Sequence, residues 1–346
     1  MRFKSSNRAL LNTNLIIHIG PDPIHPGGIA SVIDSSLKMT IRNSRILNFA
    51  SWNPNSFYGL SMSFRVALQL IKLRIRPQNR VIVHVHFGNF GSYLREGSLL
   101  ILSIALGFDS FATFHGQKMN YIKRLRPARY IFKLLTEKVD GIYFLNPNLK
   151  SLLIPYSSKA KVIVNPLPFR VEAEVSTKRE KAILFAGVRD VRKGFDILLD
   201  AWNIIHKQFP EWTLYIAGPF GDFRFKITAE QTIDLGNLPR HEVIEILSKV
   251  AILCLPSRNE QSPMILWEAL GKNTCVVATS VGAIPWILGP SYPYLAVPND
   301  VLSLAELLSK AITADNKILI RNMNEKSRVA DLENLSRMWE REYRVE

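Results

Sequence analysis

The sequence predicts an α/β protein of two Rossmann-like domains, each a parallel sheet with helices on both faces. Three features of the chain point there. Its 346 residues exceed one ordinary core and suit two domains. Hydrophobic residues make up 47%, enough for two well-buried cores. Short apolar runs alternate with longer helical patterns in two series, separated by the polar stretch Glu172–Lys181. The domains expected are 1–168 and 169–324, with a helix over 325–346 returning to the first. Ligands of such sheets sit at the carboxyl ends of the strands, so the two domains are expected to face each other across a cleft.

The elements follow in order. In the first series, strands are expected at Asn14–Gly20, Val81–His86, Phe111–Phe114, Gly141–Leu145 and Lys161–Val164. In the second they are expected at Ala182–Ala186, Thr213–Ala217, Thr232–Leu235, Ala251–Leu255 and Cys275–Ala278. Helical patterns cover Gly194–Gln208, Arg240–Lys249 and Pro263–Gly271. A charged helix is expected from Asn324 to Glu346.

Charge is divided unevenly. Residues 1–170 hold 23 Lys and Arg against 6 Asp and Glu, a net of +17, and the remainder is close to neutral at −2. The basic half therefore invites an anionic partner: membrane lipid, nucleic acid or a phosphorylated acceptor. Two basic stretches interleave with apolar residues. SFRVALQLIKLRIRP is amphipathic, with Arg65, Lys72, Arg74 and Arg76. MNYIKRLRPARYIFKLL carries Tyr121, Lys123, Arg124, Arg126, Arg129, Tyr130 and Lys133. Both suit an anionic bilayer surface, with part of each apolar side reserved for the core. The only cysteines, Cys254 and Cys275, lie in apolar strand-like runs, which points to a reducing compartment. Asn12, Thr13 and Asn14 break the apolar N-terminal run, and no later run is long enough to span a bilayer. A cytoplasmic protein, peripheral on the inner face of the membrane, is the expectation.

The chemistry concentrates in LCLPSRNEQSPMILWEALGKNTCVVATSVGAIP, Leu253–Pro285. A buried strand ends at Leu255, a loop carries Glu260, and Pro263 opens a helix containing Glu268. The helix start at Met264 and Ile265 offers backbone N–H groups and the positive end of the helix dipole, which suits a diphosphate. A carboxylate on either side suits two sets of hydroxyls, such as a sugar and a ribose. In AGVRDVRKGFDILLDAW, Arg189, Arg192 and Lys193 follow a strand end, where cations neutralise a diphosphate leaving group. In HIGPDPIHPGGIASVIDSSL, Gly27 and Gly28 let the backbone approach a ligand. FATFHGQK ends a strand at His115, and VHVHFGN places His84 and His86 on one strand face, where packing is expected.

The order Glu260, seven residues, Glu268, Ala-Leu-Gly, a buried strand, Ala-Thr and Val-Gly-Ala-Ile-Pro closely resembles the donor-binding core of retaining glycosyltransferases of family four. Their architecture is the two-domain glycosyltransferase B fold. The resemblance implies that Glu260 contacts the transferred sugar, Glu268 binds the ribose hydroxyls, and the backbone over Pro263, Met264 and Ile265 holds the phosphate. Lys193 matches the lysine of the family's Gly-Arg…Lys-Gly loop. The family arginine falls at Val188, and Arg189 or Arg192 stands in for it. The family's Gly-Gly-x-Pro-Glu becomes Gly282-Ala283-Ile284-Pro285-Trp286, without the acid. Gly27 and Gly28 resemble the N-terminal glycine loop, and Gly-Gly-Ile-Ala resembles transferases of bacterial surface polysaccharides. Thr113-x-His115-Gly116 implies a donor-sugar contact for His115. Gly218, Gly236 and Leu238 resemble loops lining the base pocket.

The reaction implied is transfer of a hexose-like unit from a UDP- or GDP-sugar to a lipid-linked or saccharide acceptor, with retention, in polysaccharide, capsule or lipopolysaccharide assembly. The nucleotide sugar is a co-substrate, and no cofactor is expected. Glu260, His115 and Lys193 are the catalytic candidates. No Asp-x-Asp motif occurs, so no metal is expected, and cations with the helix dipole take that role. The leaving phosphate itself would help deprotonate the acceptor. An epimerase or phosphorylase on the same architecture explains the Glu260–Glu268 spacing less well. A non-catalytic binding protein finds support in Val188 and Trp286. A nucleic-acid partner rests on charge alone and is not expected.

Overall fold

A computed structural model describes residues 13–25, 27–52, 59–75, 80–88, 90–116, 132–133, 136–148, 150, 159–171, 179–222 and 224–345. The chain forms two compact units. Unit 1 comprises Met1–Pro168 and Ala330–Glu346, and unit 2 comprises Phe169–Val329.

Unit 1 contains β1 (Asn14–Pro21), α1 (Gly28–Leu37), β2 (Ser44–Trp52), α2 (Gly59–Ile75), β3 (Val81–Phe87), α3 (Phe90–Ala105), β4 (Asp109–Phe114), β5 (Gly141–Phe144) and β6 (Ala160–Val162). The strands run in the order β2-β1-β3-β4-β5-β6, with every neighbouring pair parallel. All of β3 is buried, as expected of a central strand covered on both faces. Alternate residues supply two cores. Ile17, Ile19, Val83, Val85 and Phe114 pack with Val66 and Leu70 of α2 and Leu99 and Leu100 of α3. Ile16, Ile82, Phe111 and Tyr143 take the opposite face, together with the C-terminal residues Leu335, Trp339 and Tyr343. The sequence reading missed β2. Its half-exposed run SRILNFASW is broken by Ser44, Arg45 and Asn48, as suits an edge strand.

Unit 2 contains β7 (Glu180–Ala186), α4 (Phe195–Ile205), β8 (Thr213–Ala217), β9 (Thr232–Gly236), α5 (Arg240–Lys249), β10 (Val250–Leu255), α6 (Met264–Gly271), β11 (Cys275–Thr279), α7 (Ile284–Leu288), β12 (Leu295–Ala296), α8 (Val301–Thr313) and α9 (Lys317–Ser327). The strand order is β12-β11-β10-β7-β8-β9, again parallel throughout. The chain winds outward from β7 through β8 to β9. It then returns to the other side of β7 as β10. The loops after β7 and β10 therefore meet at the topological switch point of this sheet.

The expected single helix from Asn324 onward is corrected. α9 ends at Ser327, a 3-10 turn covers Arg328–Ala330, and α10 (Leu332–Glu342) starts afresh. Asp331 makes the break. Its backbone is extended, and its carboxylate accepts from Glu333 N–H at 2.9 Å as an N-cap. α10 is then tied to the unit 1 sheet by polar contacts. Glu342 accepts from Tyr143 Oη at 2.7 Å and Lys161 Nζ at 2.7 Å, and Glu340 accepts from Arg42 N–H at 2.7 Å.

Candidate functional site

The switch point of unit 2 gathers the charged residues singled out by sequence. Glu260, on the loop after β10, is 7% exposed. Its Oε1 accepts from Lys193 Nζ at 2.5 Å and from Ser257 Oγ at 2.9 Å. Ser257 is anchored in turn, because the Thr279 hydroxyl donates to its carbonyl. The backbone of Glu260 rests on Gly282, whose φ is +58°. A Cβ there would lie 1.6 Å from the Glu260 carbonyl oxygen, so only glycine fits. α6 begins just beyond. Pro263 is its N-cap, no side chain caps its first turn, and Met264 and Ile265 are partly exposed. Glu268 lies inside α6 and is 3% exposed. Arg240 Nε donates to it at 2.7 Å. Burial raises the Glu268 carboxyl above its ordinary range, and Arg240 offsets this only in part.

The loop after β7 is built to meet the loop after β10. Lys193 N–H donates to Asp190 at 2.7 Å, and the lysine stem lies over Gly187. Gly194 has φ +69°, and a Cβ on it would lie 1.9 Å from the Pro256 carbonyl oxygen. Arg258 straps the two loops together, a role missed in the sequence. Its guanidinium donates to Asp196 at 2.6 and 2.7 Å, and its N–H donates to Arg192 O at 2.9 Å. Burial acts against the charge on Asp196, but Arg258 prevails and holds that carboxyl below its ordinary value.

Arg189 requires a correction. It was one of two arginines expected to meet a diphosphate. Instead it is 1% exposed, and its guanidinium donates to both carboxylate oxygens of Asp234 and to Gly218 O. It also stacks over Phe220, 4.5 Å from the ring centre. This arginine ties the loop after β7 to the end of β8 and the middle of β9. Arg192 stays exposed, with a 3.4 Å contact to Asp190. Gly218 has φ +132°, and a Cβ there would lie 2.0 Å from Gly187 O. Leu238 is half-buried, directly before the Pro239 N-cap of α5.

In unit 1, Gly28 starts α1 with Gly27 as its N-cap. Both line a cavity of about 530 Å³ together with Trp52, His86, Arg95 and Glu96. His115 follows β4, and its N–H donates to Phe87 O at 2.8 Å. The next residue must be glycine, because a Cβ on Gly116 would lie 1.7 Å from Gly88 O. His86 is more than packing. It hydrogen-bonds His18 at 2.8 Å and His115 at 3.0 Å. Burial lowers all of these imidazoles, His18 to about 4 and His115 to about 3, so they are neutral at physiological pH. Of the basic stretch from Tyr121 to Lys133, only Lys133 lies within the described residues, and Arg76 lies outside them too. No helix among the described residues is long and apolar enough to cross a membrane.

Comparison with known proteins agrees with the two-sheet fold. Residues 169–329 match the family model for glycosyl transferases group 1. An uncharacterized glycosyltransferase of Haemophilus influenzae is 27% identical over 174 residues, covering 48% of this chain and 49% of that protein. Another, from Methanocaldococcus jannaschii, is 27% identical over 278 residues, covering 78% and 75%. The GPI3 subunit of a Saccharomyces cerevisiae phosphatidylinositol N-acetylglucosaminyltransferase is 25% identical, covering 67% and 55%. The match thus spans about half the length of the first and third of these relatives. Among solved structures, Anabaena HepE with UDP and glucose superposes with a TM-score of 0.69 at 14% identity, covering 95% of this chain and 99% of that one. The lipopolysaccharide outer core galactosyltransferase WaaB superposes with a TM-score of 0.62 at 16% identity, covering 95% and 99%. Both share the two-sheet glycosyltransferase B fold described above.

Proposed function

We propose that this chain, whose residues 169–329 match the family model for glycosyl transferases group 1, transfers a sugar from a nucleoside diphosphate sugar to an acceptor hydroxyl. One observation carries the reading: half-exposed Lys193 paired with buried Glu260 at the unit 2 switch point, followed by the uncapped start of α6 and by buried Glu268. Lys193 has three ammonium protons and needs only one for Glu260, so it also serves a phosphate oxygen. The start of α6 adds backbone N–H groups and the positive end of its dipole. Arg192 supplies a further cation. Together they stabilise the diphosphate as it departs, without a metal ion. Glu268, oriented by Arg240, accepts from the ribose hydroxyls, and Glu260 accepts from the hydroxyls of the transferred sugar.

No carboxylate is assigned as a nucleophile. The acceptor attacks the face the diphosphate leaves, and the departing phosphate takes its proton, so configuration is retained. UDP is the favoured carrier over GDP, supported by the UDP and glucose in the HepE structure. The acceptor is read as a lipid-linked saccharide of surface-polysaccharide assembly, with unit 1 against an anionic membrane. Helix α2 supports this. Val66, Leu70 and Leu73 face the core, whereas Phe64, Leu68, Ile71 and Ile75 form a second, exposed stripe beside Arg65, Lys72 and Arg74.

The test is a donor screen read by nucleotide release and thermal shift, with Lys193→Ala and Glu268→Ala alongside. The expected result is one nucleotide-sugar class that stabilises the protein and is turned over, with both variants impaired and turnover unchanged by EDTA. If no nucleotide sugar binds, the proposal fails. Anomeric analysis of the product by NMR then tests retention.

A further inference from the structure

Three parallel strands bring four histidines onto one face of the unit 1 sheet. His18 of β1 stands beside His84 of β3 in register, and His86 follows two residues on. The rings of His18, His84 and His86 stack at 4.8 to 5.2 Å between centres. His84 is hydrogen-bonded elsewhere. Its Nδ1 bonds the Tyr343 hydroxyl at 2.5 Å, and its Nε2 bonds the Thr113 hydroxyl at 2.7 Å. Among the described residues, the rings of the other three hydrogen-bond only to one another. His18 Nδ1 meets His86 Nε2 at 2.8 Å, and His86 Nδ1 meets His115 Nε2 at 3.0 Å. Among the described residues, neither His18 Nε2 nor His115 Nδ1 has a hydrogen-bond partner.

We propose that His18, His86 and His115 form an imidazole chain with locked tautomers, in which His18 and His86 set whether His115 Nδ1 donates or accepts. The reasoning is a proton count. A neutral imidazole carries one N–H, and each nitrogen-to-nitrogen bond needs one proton. If His18 holds its proton on Nδ1, it donates to His86 Nε2. His86 must then carry its own proton on Nδ1 and donate to His115 Nε2, which leaves His115 protonated on Nδ1. The alternative reverses every bond, so that all three carry the proton on Nε2 and His115 Nδ1 is a bare acceptor. Mixed patterns leave at least one bond with two protons or none, an unsatisfied contact on the buried His86 ring. Passing between the two states removes one proton from His115 Nδ1 and adds one, from water, at His18 Nε2. The protein's charge is unchanged.

His115 ends the chain at the carboxyl end of β4, where ligands of such sheets bind. His18 and His86 are thus positioning residues for His115. Their effect on turnover rests on the proposed sugar transfer, whereas the tautomer pattern does not.

The experiment is nitrogen-15 NMR of side-chain imidazoles in full-length unliganded protein, with His18→Leu and His18→Asn compared to wild type. All three histidines are expected to be neutral and to share one tautomer. His18→Leu is expected to shift the nitrogen signals of His115, two hydrogen bonds away, and His18→Asn to restore them, since its amide takes the place of Nδ1 and can donate or accept. If His18→Leu does not fold, the wild-type pattern and His18→Asn decide the matter. Mixed tautomers in wild type, an imidazolium at neutral pH, or His115 signals indifferent to residue 18 would each overturn the chain. A shared tautomer without any sugar transfer would retain the chain and reject the transferase reading. Where transfer is found, His18→Leu is expected to lower kcat by roughly tenfold, in line with other partners that orient functional imidazoles, with little change in donor KM.

Discussion

Gly282→Ala tests whether the Glu260 loop is held by its neighbour. The left-handed φ of +58° charges an L side chain about 1 kcal/mol at this position. The contact is the larger problem. The new Cβ would sit 1.6 Å from the Glu260 carbonyl oxygen, and that oxygen must retreat by about 1.4 Å merely to reach 3.0 Å. Such a displacement takes the carboxylate away from Lys193 Nζ at 2.5 Å and Ser257 Oγ at 2.9 Å. Misplacement of this size costs roughly 100-fold in turnover. Gly107, in the turn between α3 and β4, provides the control. Its φ is +72°, but nothing lies within 4 Å of a Cβ there. Gly107→Ala should therefore lose only the backbone term, about 3 °C in melting temperature, and keep Glu260 in place. The assay is nucleotide release with the donor found by screening, beside thermal melting. If Gly282→Ala turns over like Gly107→Ala, the Glu260 carbonyl is not held as described.

The two arginines of the same loop should separate cleanly. Arg189→Met removes a buried guanidinium from exposed Asp234 and from Gly218 O, and is expected to cost about 2 kcal/mol of stability, read by denaturant unfolding. Arg192→Ala should leave stability unchanged and raise donor KM roughly tenfold; the opposite assignment would restore Arg189 as the phosphate ligand. Acid should destabilise the protein well above the carboxylate range. His18 titrates near 6.5 when unfolded and about 4 when folded, so the unfolded state binds more protons below pH 6.5. Its contribution is intact above that pH and is reduced by about 2 kcal/mol at pH 5. A melting temperature flat from pH 7 to 5 would contradict the buried neutral imidazoles. Serine at Phe64, Leu68, Ile71 and Ile75 should abolish co-sedimentation with anionic vesicles while sparing the fold, because these side chains are exposed, Phe64 by 65% and Ile75 by 76%. Equal binding of both proteins would remove α2 from the membrane reading.

What could be read from the sequence followed the range of the interactions. β10 is a continuous apolar run, β3 is apolar apart from His84 and His86, and both are buried almost throughout, so each strand announces itself in isolation. β2 does not, because a half-exposed edge strand keeps polar residues such as Arg45 and Asn48. The break before α10 was legible in principle. Asp331 followed by Glu333 is a helix-start signal, but the charged periodicity on both sides of it concealed the interruption. The segment carrying Glu260 and Glu268 reads well because strand, loop and helix are contiguous and the spacing itself carries the information. Their partners are remote in sequence. Lys193 is 67 residues from Glu260, and Arg240 is 28 residues from Glu268.

The fate of Arg189 shows why residue type alone could not choose between two arginines three positions apart. Both follow the same strand in a basic loop, and both suit a phosphate. The deciding residue is Asp234, at the far edge of the sheet and 45 positions along the chain. Its carboxylate, in the middle of β9, accepts from both guanidinium NH2 groups, which draws Arg189 across the end of β8 and onto Phe220. That hydrogen bond also holds the Asp234 carboxyl below its ordinary value. Arg189 is therefore an edge clamp that sets the height of the loop, and the loop in turn presents Lys193 to Glu260. An arginine in the phosphate role must keep its guanidinium open to the ligand. In this loop, Arg192 is the one that does.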